Sequence, residues 1–145
     1  MKLLLQRVRF ARVEVDGECV AEIEQGVLAF LGIEKHDCEE SISKMMRRLL
    51  AYRIFSDEEG RMNNSVVDIT GGVLMVSQFT LAADTNKGLR PGFSTAAKPA
   101  IAEQLYDFAL SELRLLHSKV GSGKFGADMQ VSLLNDGPVT FLLEA

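Results

Sequence analysis

Apolar and polar residues alternate through "LLLQRVRFARVEV", stop at Asp16-Gly17, and resume in "CVAEIE". A period of two sends successive side chains to opposite faces, so each run reads as a strand with one side buried. Asp-Gly supplies the backbone freedom that a tight hairpin needs, which joins the two runs as antiparallel neighbours. "GVLAFLGI" follows as a buried strand. The first 33 residues are therefore read as sheet.

The period changes after Asp37. Ile42, Met45, Met46 and Leu49 fall at helical spacing, with Asp37 and Glu40 forming a capping pattern, so one amphipathic helix is predicted to about Tyr52. "RIFSDEEGRMN" reads as a short strand and a turn at Glu59-Gly60, and "VLMVSQF" as another buried strand. A Gly-, Asn- and Asp-rich loop spans Ala83 to Phe93. Pro99 then opens a second helix, with Ile101, Leu105, Phe108, Glu112 and Leu116 on or beside one face, ending before Gly121. The tail returns to strand in "MQVSLLN" and "VTFLLE". Strands, helix, strand, helix, strands is the order of an α/β domain whose mixed sheet is covered in part by two helices. With 145 residues and neither linker nor internal repeat, one domain over residues 1–145 is expected.

The apolar runs are far shorter than the ~20 residues of a membrane helix, and "MKLLLQRVR" is too brief for a secretory signal. A cytoplasmic location is expected. Cys19 and Cys38 stand apart from each other and from the two histidines, so neither a disulfide nor a metal site is expected. A net charge of −4 argues against a broad basic surface that coats nucleic acid. A local RNA contact is compatible with it, the candidates being Lys87 and Arg90 in one loop, with Lys98, Lys119 and Lys124 further along. Taken singly, each reads as a solvated charge.

Candidates for chemistry are few. His36 lies in a polar loop and His117 near a helix end, both without catalytic neighbours, and structural roles are favoured. "SQFTLAAD" closes a buried strand and opens a loop, where a rigid scaffold presents polar groups. Ser77 and Thr80 are hydroxyl nucleophiles in principle, but the nearby sequence offers only Asp84 as a base. A plain strand-end turn is the favoured reading on spacing alone; a functional site here would use backbone N–H groups as an oxyanion hole. Arg7, in an alternating strand, either faces water or orients carbonyls with its planar donor fork. Gly137-Pro138 interrupts an otherwise apolar, strand-like tail, combining a residue without a β-carbon and one without a backbone donor.

Taken together, "LLLQRV", "YRIFSDEEGRMN", "SQFTLAAD", "KFGADMQVSL" and "NDGPVTF" resemble the D-aminoacyl-tRNA deacylase family across nearly the whole chain. The resemblance implies a three-layer α/β homodimer, without metal or organic cofactor. It implies hydrolysis of the ester that links a D-amino acid, or glycine, to the 3′-terminal adenosine of tRNA. By motif, Ser77, Gln78, Phe79 and Thr80 line the pocket for adenosine and ester; Phe125, Gly126, Ala127 and Met129 belong to its wall. Gly137 and Pro138 are implied to reach, through a cis peptide bond, into the partner subunit's pocket, with Arg7 holding them. Lacking a base, the site fits a mechanism that uses the 2′-hydroxyl of the tRNA. Three alternatives stay open: the L-alanyl-tRNA-editing relative, whose first motif reads closer to PQAT; a non-enzymatic nucleic-acid-binding protein; and a purely structural dimer module.

Overall fold

The computed structural model describes residues 1–86 and 88–145. Its axis is strand β1 (Lys2–Val15), which turns at Asp16 and Gly17, both at positive φ, into β2 (Glu18–Ile23). The second half of β1 pairs with β2, and the first half with β3 (Gly26–Gly32), both antiparallel. Helix α1 (Glu39–Ala51) and a small hairpin of β4 (Phe55–Ser56) and β5 (Met62–Asn64) lead to β6 (Gly72–Ser77), parallel to β3. Helix α2 (Pro99–Leu116) then crosses to β7 (Val120–Ser122), parallel to β6. Both parallel pairings thus use the helical crossover that such pairing requires. The last strand, β8 (Gln130–Glu144), runs antiparallel along the free side of β1.

Alternation along β3 and β6 divides the core in two. Val27, Ala29, Val73 and Met75 face the helices, meeting Ile42, Met46 and Leu49 of α1 and Leu105, Ala109 and Leu113 of α2. Leu28, Leu74 and Val76 face the other way, against Val8, Ala11 and Val13 of β1 and Val131 and Leu133 of β8. The far halves of β1 and β8 therefore curl over the sheet as a third layer. That is why "GVLAFLG" shows no alternation: both of its faces are buried. Each fully buried Leu contributes about 1.5–3 kcal/mol through removal of apolar surface from water, so this middle layer carries much of the stability. No helix among the described residues is long and apolar enough to cross a membrane.

Three local expectations are corrected. Helix α1 is capped by Cys38 and Ser41, the Cys38 amide donating to Ser41 Oγ at 3.0 Å, because Asp37 is turned away to accept from the Glu34 amide at 2.7 Å. In α2 the buried stripe is Ala102, Leu105, Tyr106, Ala109, Leu110 and Leu113, whereas Ile101 and Leu116 are exposed, so the face is rotated from that read off the larger residues. The tail is one strand, which passes Gly137-Pro138 as a bulge instead of ending there.

Candidate active site

Strand β6 ends at Ser77, and Gln78 (φ −142°, ψ 79°) turns the chain into a single 3-10 turn over Phe79–Ala82. The turn lies directly on Gly32 of β3, where a β-carbon would meet the Gln78 carbonyl at 2.9 Å and Leu81 Cβ at 2.8 Å, so only glycine admits it. The Gln78 amide donates to the Leu31 carbonyl at 2.8 Å, and the Leu81 amide to the Gln78 carbonyl at 3.1 Å. The amides of Phe79 and Thr80 donate to no group among the described residues, as expected at the start of a helical turn. Strict alternation would have sent Ser77 and Gln78 to opposite faces; the break in the strand brings Ser77, Gln78 and Phe79 to one side.

That side is a cleft of about 430 Å³, walled by these three residues and Val76, by Ala97, Pro99 and Ala102 at the start of α2, and by Phe125, Gly126, Ala127, Met129 and Val131. Parallel pairing of β6 with β7 is what carries the second motif to the first across some 45 residues of chain. Behind the wall, Tyr106 is buried, its hydroxyl donating to the Met75 carbonyl at 2.9 Å and its ring 5.8 Å from that of Phe125. Burial drives the Tyr106 hydroxyl far above the usual phenol range, so it stays protonated. Not one lining residue among those described carries a titratable side chain. Thr80 lies outside the lining, and its hydroxyl accepts from Gln78 Nε2 at 2.5 Å, an amide donor that cannot serve as a base.

Arg7, Gly137 and Pro138 form a second cluster. Between Gln6↔Thr140 and Val8↔Asn135 the register of β8 against β1 shifts, leaving residues 136–139 as a bulge opposite Arg7. Arg7 Nε donates to the Asp136 carbonyl at 2.8 Å and Nη1 to the Ile54 carbonyl at 2.7 Å. Asn135 closes the bulge from its other end, accepting from the Val139 amide at 2.6 Å and donating to the Val139 carbonyl at 3.2 Å. The Gly137-Pro138 bond is cis, and Gly137 adopts φ 147°. Both residues are exposed. Leu3, Leu31 and Ser77 stand at one level of the sheet and Arg7 four residues further along β1. Three strand spacings and four residues of rise put the bulge roughly 20 Å from Ser77 of the same chain. The two clusters do not meet within the chain.

Of the other candidates, Arg90 is exposed on its loop and Lys87 lies outside the described residues. His117 Nε2 lies 2.7 Å from the Gly71 carbonyl and His36 is on an exposed turn; neither lines the cleft. No cluster of three or more metal-ligating side chains occurs among the described residues. A larger hollow of about 640 Å³, near Glu22, Thr70 and Lys119, contains none of the motif residues. The sequence reading missed Ala97, Pro99 and Ala102 as cleft wall. Pro99 signalled the helix start but not what that start would face.

The fold is that of a known class of α/β protein. A solved structure described as a probable eukaryotic D-amino acid tRNA deacylase superposes with a TM-score of 0.87, covering 98% of this chain and 97% of that one, at 17% identity. A second, the c-Myc DNA unwinding element binding protein, superposes at 0.96 with 41% identity, covering 100% of this chain and 99% of that one. The D-aminoacyl-tRNA deacylase of Pseudomonas fluorescens (strain SBW25) is 61% identical over 99% of both chains, and that of Cellvibrio japonicus 61% over 97% of both. The family profile described as D-Tyr-tRNA(Tyr) deacylase matches residues 4–144. The chain belongs to that deacylase family.

Proposed function

We propose that this protein works in the cytoplasm as a homodimer that hydrolyses the ester of D-aminoacyl-tRNA, and of glycyl-tRNA, to free amino acid and tRNA. The observation that carries the mechanism is the cleft without an acid or base among its described lining residues. With no side-chain base among the described lining residues, the 2′-hydroxyl of the terminal adenosine, next to the scissile ester, takes the proton of the attacking water and passes its own to the departing 3′-oxygen, so that free amino acid and an intact tRNA 3′ end result. The Phe79 amide, on the cleft wall and without an acceptor among the described residues, stabilises the developing oxyanion, a role that needs a donor and no titration. The naming of relatives about 60% identical over their full length supports the reaction class.

Dimerisation is supported by β8, which has no strand partner beyond β1 among the described residues and shows Leu134, Phe141 and Leu142 exposed, with Phe10 exposed opposite Leu134. An open edge carrying apolar side chains is a surface that pairing would cover. In the dimer the Gly137 and Pro138 carbonyls of one subunit enter the other's cleft and accept hydrogen bonds from the substrate's α-ammonium group. With ammonium and ester fixed, a D side chain projects to solvent and an L side chain collides with backbone. The filter is steric, indifferent to side-chain identity, and open to glycine.

A DNA-binding reading takes support from the name of the relative at 41% identity, and a net charge of −4 weighs against it. Subunit mixing tests the proposal. Gly137→Ala and Phe79→Ala proteins are each expected to be nearly inactive on D-tyrosyl-tRNA. Their mixed dimer holds one intact composite site and is expected to recover activity. Absence of recovery in a verified mixed dimer contradicts the cross-subunit site.

A further inference from the structure

Two phenylalanines stand out from the protein beside the cleft. Phe79 is 61% and Phe93 41% exposed, their ring centroids 5.0 Å apart and their planes tilted by 46°. Phe93 neither lines the cleft nor belongs to either core cluster, so packing does not explain it. Yet its position is fixed. Asp84 and Gly92 exchange both backbone hydrogen bonds, at 2.7 and 2.9 Å, and Thr95 Oγ1 donates to the Ala82 carbonyl, strapping the segment with Phe93 to the one that follows Phe79. An aromatic pair held in place and exposed offers an apolar surface that a further group can cover.

Cations close in sequence to Phe93 and to the cleft wall indicate which group. Arg90 precedes Phe93 by three residues, Lys98 stands between the lining residues Ala97 and Pro99, and Lys124 precedes the lining Phe125. All three are exposed and none is in an ion pair among the described residues. Aromatic faces framed by cations are how proteins grip single-stranded nucleic acid: bases stack on the rings while the cations follow the phosphates.

We infer that Phe93, backed by Phe79, is a stacking platform for the base that precedes the terminal adenosine of the tRNA, with Arg90, Lys98 and Lys124 around its phosphates. This rests on the deacylase reading above. Every base offers a π-face, so such a platform serves any tRNA without reading its sequence.

The test compares two substrates, D-tyrosyl-tRNA and the 3′-O-D-tyrosyl ester of adenosine, which lacks the preceding nucleotide. Phe93→Ala is expected to lower kcat/KM on the tRNA about tenfold, a typical stacking loss, and to change that on the nucleoside ester by less than about twofold. Phe93→Tyr should retain the tRNA rate, whereas Phe93→Leu, which keeps apolar bulk and serves if the alanine variant does not fold, should lose it. Equal losses on both substrates, or none on the tRNA, overturn the platform and leave the deacylase reading standing. A wild-type protein inert on both substrates overturns both.

Discussion

Arg7 Nε donates to the backbone carbonyl of Asp136 at 2.8 Å, across the register shift between β1 and β8. The same guanidinium donates through Nη1 to the Ile54 carbonyl at 2.7 Å, so one planar fork ties the bulge to the chain just before β4. A lysine carries its donors on one nitrogen and lacks the planar fork whose separate nitrogens reach the two carbonyls here.

Arg7→Lys is therefore expected to keep the fold and lose most activity on D-tyrosyl-tRNA, because the carbonyls of the bulge lose their aim. Arg7→Ala should also cost about 2–3 kcal/mol of stability, since it leaves a partly buried carbonyl without a charged donor. Urea unfolding alongside deacylation rates separates the two effects. An Arg7→Lys protein of wild-type activity contradicts the positioning role.

Gly137 has no room for a side chain. A β-carbon there would meet Val139 Cγ2 at 2.6 Å and Arg7 Nη2 at 3.1 Å, at a φ of 147° that L side chains rarely adopt. Gly137→Ala should lower stability by about 1–3 kcal/mol. Activity should fall at least a hundredfold, well beyond what partial unfolding explains. Thermal melting with rates measured well below the midpoint checks both.

Tyr106→Phe probes the wall behind the cleft. The Met75 carbonyl also accepts from the Gly123 amide at 2.9 Å, so loss of the Tyr106 hydroxyl does not orphan it. The expected cost is about 0.5–1.5 kcal/mol, with little change in kcat. A large loss of activity at unchanged stability would instead place Tyr106 in the chemistry.

Thr80 is expected to be dispensable as a nucleophile, since the group hydrogen-bonded to its hydroxyl is the Gln78 amide, not a base, and no titratable side chain lines the cleft among the described residues. Thr80→Val should keep substantial turnover, whereas tRNA ending in 2′-deoxyadenosine should react poorly. Trapping an aminoacyl ester on Thr80 contradicts this.

Where local signals were strong, the fold was legible: the Asp16-Gly17 hairpin, the switch to helical spacing near residue 40, and Pro99 at the first turn of α2 all hold. Legibility failed where tertiary context decided. β7 has three residues, including Gly121, and shows no period of its own. The continuity of β8 through Pro138 depends on Arg7 and Asn135, which engage the bulge from β1 and from within β8. The Asp37 cap reading failed because a neighbouring turn claimed its carboxylate. The cleft brings together residues 77–79 with 125–127 and 129, distant in sequence, and spacing alone favoured a plain turn at Ser77. Resemblance of the motifs, not periodicity, marked both clusters. The exposed pairing of Phe93 with Phe79 had no sequence signal.

The most direct test of the central claim is the rate of ester loss from D-tyrosyl-tRNA and from L-tyrosyl-tRNA, measured separately with the pure protein. The D ester should be hydrolysed and the L ester left intact, a ten-thousandfold preference corresponding to about 5.4 kcal/mol between transition states. Equal loss of both esters, or of neither, would contradict it.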